Sequence, residues 1–301
     1  MHAFKTLPTA LLYILICIHS TRVNAQIVTD TTTQNVDTIS NSKKSYFKLS
    51  LNYLSNAVYY GRKDSLVVPY ITPAVRYENK SGLYLEASLS YLPVTKESRI
   101  DLGTIGAGYI HRNIDTTLKV ELYANKYFTS TNSYSVKSAL KADAGLNMSF
   151  EAGSVTFIGE VYTIFSGKTD ITTGFGLSYN IEFGNDENWS FSPTGVVNAG
   201  TSNFYKSYFT DKKFTGKRRR VTAPTQPLIT PIVIKNGFGI LDYELSAPLE
   251  YEGRKFGFYC TPTYSIPVNP ISYSLTNGLT YKKEKLTNSF YVELGVFMKI
   301  W

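Results

Sequence analysis

The sequence predicts an all-β protein, a transmembrane antiparallel up-and-down β-barrel of about twelve strands. The clearest observation is at the carboxyl end, where residues 289–301 alternate in polarity. Successive side chains of a strand point to opposite faces, so this pattern predicts a strand with one apolar and one partly charged face. The apolar face comprises Phe290, Val292, Leu294, Val296, Met298 and Ile300, and the other face comprises Tyr291, Glu293, Gly295, Phe297 and Lys299. Barrel strands show one such face to lipid and the other to the lumen.

Five further segments of this kind open the domain. They are Tyr46–Tyr60, Pro69–Glu78, Leu83–Leu92, Ile100–His111 and Leu118–Lys126. The third of them alternates most clearly, whereas Gly103, Gly106 and Gly108 dilute the pattern of the fourth. A turn rich in Asn, Ser and Gly, which tolerate positive φ, separates the second segment from the third.

The second half of the chain supplies the remaining strands. They are Lys137–Phe150, Val155–Phe165, Ile171–Phe183, Phe191–Ser202, Gly237–Leu249, Phe256–Ile266 and the terminal segment. Most alternate cleanly, but Glu160 shares a face with Ile158 and Ile164, which leaves the facing of that strand ambiguous. If Ile229–Lys235 and Ile271–Tyr281 are also strands, the count rises to about fourteen.

The lengths of the connections support the lower count. With both chain ends in the periplasm, the inner connections are all short, namely Glu78–Gly82, Arg112–Thr117, Glu151–Ser154, Gly184–Ser190 and Tyr251–Lys255. The two longest connections, Phe204–Lys235 and Pro267–Asn288, lie on the other side. Bacterial barrels combine short periplasmic turns with longer outer loops. A soluble β-sandwich, the main alternative, would not explain this asymmetry.

The amino terminus predicts export. A basic residue, an apolar stretch and Val23-Asn24-Ala25 indicate a secretory signal at residues 1–25, cleaved near Ala25. Residues 26–44 are polar and predict a flexible periplasmic tether, and residues 45–301 form the barrel. The expected location is therefore the outer membrane of a Gram-negative bacterium. Cys260 is the one cysteine after the leader, so it has no disulfide partner in the chain, and we expect it to face lipid.

The predicted lumen face carries charges of both signs. The acidic residues are Glu86, Asp101, Glu121, Asp143, Glu160, Glu182, Asp242, Glu244 and Glu293, and the basic residues are Lys48, Arg76, Lys119, Lys141 and Lys299. Rings of carboxylates favour cations, which suggests a passive or weakly selective channel for small solutes. The alternative is a closed structural barrel filled by paired charges, and neither strand number nor charge decides between them.

The longest outer connection contains a basic cluster in a chain of net charge +8. Its members are Lys212, Lys213, Lys217, Arg218, Arg219 and Arg220. Such a cluster attracts polyanions, and lipopolysaccharide phosphate is the natural partner at the outer leaflet. A solvated basic loop without a ligand is the alternative. Nucleic acid is not an expected partner, because the loop faces outside the cell.

Enzymatic activity is not expected. His111 is the one histidine after the leader, and it lies at the periplasmic end of its strand, far from Ser135 and Ser138. A barrel hydrolase needs a positioned base and nucleophile, so a lipid-modifying enzyme centred on His111 is a remote alternative. The sequence contains neither metal-ligand spacing nor a phosphate-binding loop, so no metal, cofactor or catalytic residue is predicted.

The opening segment also carries a resemblance. Residues 55–62 read SNAVYYGR. They are followed by Tyr70 and then by Ser81-Gly82-Leu83-Tyr84. This resembles the SNYVFRG start of an uncharacterised family of proteobacterial outer-membrane barrels. The whole chain, which ends in Trp301, is similar to outer-membrane β-barrel proteins of Bacteroidota. The resemblance implies insertion by the barrel assembly machinery and does not imply an activity.

Overall fold

The computed structural model describes residues 44–64, 66–94, 98–131, 133–184, 188–208, 232–234, 237–274 and 281–301. Twelve strands form one closed antiparallel barrel, in which each strand pairs with the next and the last pairs with the first. They are β1 (Tyr46–Leu54), β2 (Tyr70–Glu78), β3 (Leu83–Leu92), β4 (Arg99–Arg112), β5 (Leu118–Thr129), β6 (Ala142–Ala152), β7 (Val155–Phe165), β8 (Thr169–Tyr179), β9 (Thr194–Gly200), β10 (Gly239–Ser246), β11 (Phe256–Pro267) and β12 (Ser289–Ile300). The predicted fold class is confirmed.

The outside of the barrel is apolar. Every one of the twelve strands exposes at least one large apolar side chain. In β12 the predicted faces are confirmed, because Phe290 and Val296 are exposed whereas Phe297 and Lys299 are buried. A soluble monomer does not expose a continuous belt of this kind, whereas a barrel wall in lipid requires one. No helix in the described ranges has the length and apolarity needed to cross a bilayer.

Two strands are shorter than the sequence predicts. β1 ends at Leu54 because the chain turns into the barrel mouth there, and β6 begins at Ala142, five residues late. Val136 and Leu140 are both buried, and they pack in one cluster with Leu102 and Tyr127 of the wall. Residues 136–139 form a 3₁₀ turn, so the start of the predicted strand Lys137–Phe150 was wrong.

The short connections lie at one end of the barrel, hereafter the turn end, and the long ones at the loop end. Three predicted strands are interrupted near the turn end. The parts beyond the interruptions form separate short strands, which are Ile181–Phe183, Trp189–Phe191 and Leu249–Glu252. Pro193 and Pro248 stand at two of the interruptions, where a missing N–H breaks the ladder. Hydrogen bonding continues around them, since the Ser192 amide donates to the Pro248 carbonyl at 2.9 Å.

Three segments from the loop end fold into the barrel mouth. They are the hairpin Val58–Lys63, the 3₁₀ turn Val136–Ala139 and the helix α1 (Asn203–Tyr208), and we call them the loop-end plug. Ile232–Ile234, Ser272–Ser274 and Tyr281–Lys283 form a small separate sheet at the same end. These three strands pair with one another and not with the wall, so the count of fourteen barrel strands was wrong.

Candidate functional site

The barrel interior holds most of the charges that the sequence predicts there. The fully buried ones are Lys48, Asp101, Glu121, Asp143, Glu160, Asp242 and Lys299. The half-buried ones are Arg76, Glu86, Lys119, Glu244 and Glu293. Buried charges require compensation, so this interior must be a connected polar network.

Two predicted lumen residues lie elsewhere. Lys141 is exposed, because its strand begins one residue later and the residue belongs to the connection from the 3₁₀ turn. Glu182 is also exposed, because its short strand continues β8 beyond the barrel rim and pairs only with Trp189–Phe191. Its carboxylate accepts a hydrogen bond from the Asn180 amide at 2.9 Å.

Arg76 is the centre of one half of the network. Its guanidinium lies 3.3 Å from Glu78, 3.6 Å from Glu86 and 4.0 Å from Glu121. It also stacks on the Tyr84 ring, 3.7 Å from the ring centroid. Three carboxylates and one ring face therefore hold a single cation against the wall.

The glycines of β4 make this arrangement possible. A Cβ atom at Gly108 would lie 2.5 Å from the Tyr84 ring, and one at Gly106 would lie 2.3 Å from the Asn125 side chain. The glycines thus leave room for side chains of the two neighbouring strands, and Glu121 of β5 reaches Arg76 of β2 across the strands between them. The diluted pattern of β4 in the sequence therefore reflects lumen packing.

The wall on the other side of β2 is joined by Tyr259. Its hydroxyl lies 2.8 Å from Glu293 Oε1 and 2.9 Å from Asn52 Oδ1, which links β11, β12 and β1. Gly295 makes room for the ring, because a Cβ atom there would lie 2.2 Å from it. Closer to the turn end, Lys299 pairs with Glu252 at 2.5 Å.

The loop-end plug is largely aromatic. Tyr59, Tyr60, Phe204, Tyr205 and Tyr208 are all buried. They pack in one cluster with the inward wall residues Leu102, Tyr127, Tyr162, Ile164 and Leu241. Apolar side chains therefore cover the polar lumen at its loop end.

Asp170 of β8 anchors the plug helix. Its carboxylate accepts hydrogen bonds from the amides of Asn203 and Phe204, both at 2.7 Å, and from the Thr201 hydroxyl at 2.6 Å. A carboxylate in this position satisfies backbone donors that have no partner within the first turn of a helix. Asp170 is not among the predicted lumen residues, because the predicted strand begins at Ile171, one residue after it.

Arg62 anchors the hairpin of the plug. It pairs with Glu284 at 3.3 Å and donates to the carbonyls of Val268 at 2.7 Å and Asn269 at 2.9 Å. Glu284 also accepts a hydrogen bond from the Tyr205 hydroxyl at 2.5 Å. Burial, together with the Glu284 carboxylate, raises the pKa of Tyr205 far above its ordinary value, so the phenol remains a donor. The SNAVYYGR segment is therefore part of the plug.

A small cavity of about 30 Å³ lies between the plug and the wall. Asn52, Tyr70, Ser90 and Glu293 line it from the wall, and Lys137 lines it from the plug. A water molecule needs roughly 10–15 Å³ by this measure, so the cavity has room for water and not for a solute.

The residues considered for catalysis do not meet. His111 is exposed near the turn end of β4, whereas Ser135 is buried in the plug close to Asp101. Ten residues of strand separate His111 from Asp101, which is about 33 Å along β4. Within the described ranges, no group of three or more His, Cys, Asp or Glu side chains is placed to hold a metal ion.

Two other predicted features complete the account. Cys260 is half-buried and shares the outward face of β11 with the exposed Phe256 and Phe258. The basic cluster of residues 212–220, like the leader and residues 26–43, lies outside the residues that the structure describes.

Comparison with known proteins yields structural neighbours only. No family model and no curated protein matches the chain. Among solved structures, the KdgM porin has a TM-score of 0.45 at 7% identity, over 83% of this chain and 98% of that one. The NanC porin has a TM-score of 0.43 at 10% identity, over 84% of this chain and 100% of that one. LpxR from Salmonella typhimurium has a TM-score of 0.40 at 10% identity, over 83% of this chain and 99% of that one. At identities of 10% or less, the likeness to these three structures is one of fold alone.

Proposed function

We propose that this chain is a non-enzymatic channel that passes small solutes, passively or with a weak preference for cations. The observation that carries the proposal is the charge of the interior. Among described residues, the buried acidic side chains are Glu78, Asp101, Glu121, Asp143, Glu151, Glu160, Asp170, Asp242 and Glu250, whereas the buried basic ones are Lys48, Arg62, Lys137 and Lys299. Because carboxylates lower the energy of a passing cation, such an interior favours cations over anions.

We place the channel in the bacterial outer membrane. The apolar belt on every strand supports insertion in lipid, and the leader at residues 1–25 supports export. On this proposal the partners are outer-membrane lipid, lipopolysaccharide and, during insertion, the barrel assembly machinery. The resemblance to Bacteroidota barrels supports the same location.

A second candidate is a closed structural or surface-interaction barrel. The aromatic plug favours it, because Phe204, Tyr205 and Tyr208 are almost completely buried at the loop end. On this reading the basic cluster of residues 212–220 binds lipopolysaccharide and the lumen never conducts. Replacing Lys217, Arg218, Arg219 and Arg220 with Gln would then weaken lipopolysaccharide binding.

Electrical recording separates the two candidates. The mature protein, refolded and inserted in a planar bilayer, gives discrete conductance steps if it is a channel. A folded barrel that inserts and passes no current supports the closed alternative. Heat-modifiable migration on a gel confirms folding in either case.

A further inference from the structure

The connection between β5 and β6 turns into the barrel instead of away from it. Ser133, Ser135, Val136 and Leu140 are each buried to at least 96%. Val136 and Leu140 pack in the aromatic cluster, and the 3₁₀ turn contacts α1. We call residues 133–140 the inner segment. A carboxylate of the wall holds the segment at Ser133, and the Lys137 side chain of the segment lines the small cavity.

The attachment to the wall is Asp101 of β4, whose side chain is buried. Its Oδ2 accepts hydrogen bonds from the Ser133 hydroxyl at 2.6 Å and from the Tyr70 hydroxyl. Its Oδ1 accepts one from Arg99 Nε at 2.8 Å. Three donors, one each from β2, β4 and the inner segment, thus meet at one carboxylate, and such charge-assisted bonds are the strong ones.

The attachment continues along the inner segment. The Ser133 hydroxyl also accepts from the Ser135 amide at 3.2 Å, and the Ser135 hydroxyl accepts from the Lys137 amide at 3.2 Å. Asp101 is therefore connected through two serines to the backbone that carries Lys137. If Ser133 leaves Asp101, the inner segment loses its charge-assisted bond to the wall and keeps the longer one, 3.5 Å from the Thr129 hydroxyl to the Ser138 carbonyl.

Lys137 is the charge that the inner segment directs at the lumen. It is buried, its ammonium lies 5.3 Å from the Tyr59 ring centroid, and it lines the same cavity as Glu293. A cation in this place neutralises carboxylates that would otherwise attract a passing cation.

We propose that the inner segment is a gate, that Asp101 is its latch, and that Lys137 is a tethered cation occupying the cation path in the closed state. The proposal rests on the proposed function and names its regulation. Breaking the bond between Asp101 and Ser133 frees the segment to move outward, which withdraws Lys137 from Glu293 and joins the cavity to the loop end.

Thiol labelling tests the gate without relying on conduction. Ser90→Cys in a Cys260→Ser background places a thiol in the wall of the cavity, and a cationic membrane-impermeant methanethiosulfonate reports its accessibility. Asp101→Asn replaces one carboxylate oxygen with an N–H₂ group, which cannot accept a hydrogen bond. Ser133→Ala removes the hydroxyl that donates to Asp101. We expect each variant to speed labelling about tenfold, as for loss of one charge-assisted hydrogen bond.

The charge of Lys137 is tested in the same way. Lys137→Gln should speed labelling too, whereas Lys141→Gln, at an exposed position, should not.

The outcomes separate the gate from the channel. Labelling that is equally slow in Asp101→Asn, Ser133→Ala and the parent, all folded by heat-modifiable migration, overturns the gate. Faster labelling in the variants, combined with no current in planar bilayers, means that the segment opens above a lumen that does not conduct. This result refutes the channel and supports the gate. Conductance with unchanged labelling supports the channel and refutes the gate.

Discussion

Arg62 and Glu284 form a buried ion pair that joins the first loop to the last at the loop end. The guanidinium and carboxylate lie 3.3 Å apart, with side-chain exposures of 3% and 8%. Because Arg62 also binds two backbone carbonyls and Glu284 binds Tyr205, the pair holds the hairpin, the last loop and α1 together. The plug is therefore a connected unit, which makes its stability testable at single residues.

Removing one member of this pair should be costly. We expect Arg62→Ala to lower the free energy of unfolding by about 3–5 kcal/mol, because it leaves the Glu284 carboxylate buried without its cation. The exposed neighbour Lys285→Ala is the control and should be neutral. Denaturant titrations in lipid vesicles measure both. The Arg62→Ala, Glu284→Ala double variant should lose less than the sum of the single losses, and strict additivity would refute the coupling.

The lumen glycines make room for aromatic rings, and Gly295 tests this. We expect Gly295→Ala to destabilise the barrel by about 1–3 kcal/mol, because the new methyl group overlaps the Tyr259 ring. Gly159→Ala is a matched control, since a Cβ atom there has no heavy atom within 4 Å. Equal unfolding midpoints for the two variants would contradict the packing described for Tyr259.

Asp170 should determine the order of α1. We expect Asp170→Ala to weaken the helix start by about 1–3 kcal/mol, because two amides and one hydroxyl lose their acceptor. Limited trypsin digestion with mass spectrometry then detects new cleavage after Lys206. Asp115→Ala, at an exposed turn on the other end, is the control. Protection of Lys206 in both variants would show that Asp170 does not hold the helix.

Glu160 should contribute to ion preference. It is buried halfway along β7 and lies beside Gly174 of the next strand, where a Cβ atom would be 3.2 Å from its Oε2. We expect Glu160→Gln to reduce the cation preference of the channel, measured as a reversal potential across a salt gradient. Glu182→Gln, outside the barrel rim, should leave it unchanged. An identical effect of both variants would mean that surface charge, not the lumen, sets the preference.

The barrel strands can be predicted from the sequence, because the alternation of apolar and polar residues depends only on neighbouring positions in the chain. Strand β12 needs only its own residues to define two faces, and all twelve barrel strands were predicted within several residues. The errors arise where tertiary contacts decide the local structure. Leu140 continues the alternation of the predicted strand Lys137–Phe150, yet its side chain packs in the aromatic cluster beside Val136. Similarly, Pro193 and Pro248 interrupt strands whose apolar residues continue past them.

The plug was not predicted, because its anchors act over long distances. Arg62 stands 222 residues from its partner Glu284, and Asp170 stands 33 and 34 residues from the amides it caps. No spacing rule links such positions. The lumen charges could be predicted, because alternate residues of a strand point to the same side of the wall. The two exceptions, Lys141 and Glu182, lie beyond the ends of the barrel strands, where this alternation no longer applies.

The most direct test of the channel is the current through the refolded mature protein in a planar bilayer under a potassium chloride gradient, recorded for the parent and for Asp101→Asn. We predict discrete steps with a reversal potential of the sign for cation preference, and larger or more frequent steps in the variant. Folded, inserted barrels of both forms that pass no current would contradict the channel and leave the closed structural barrel.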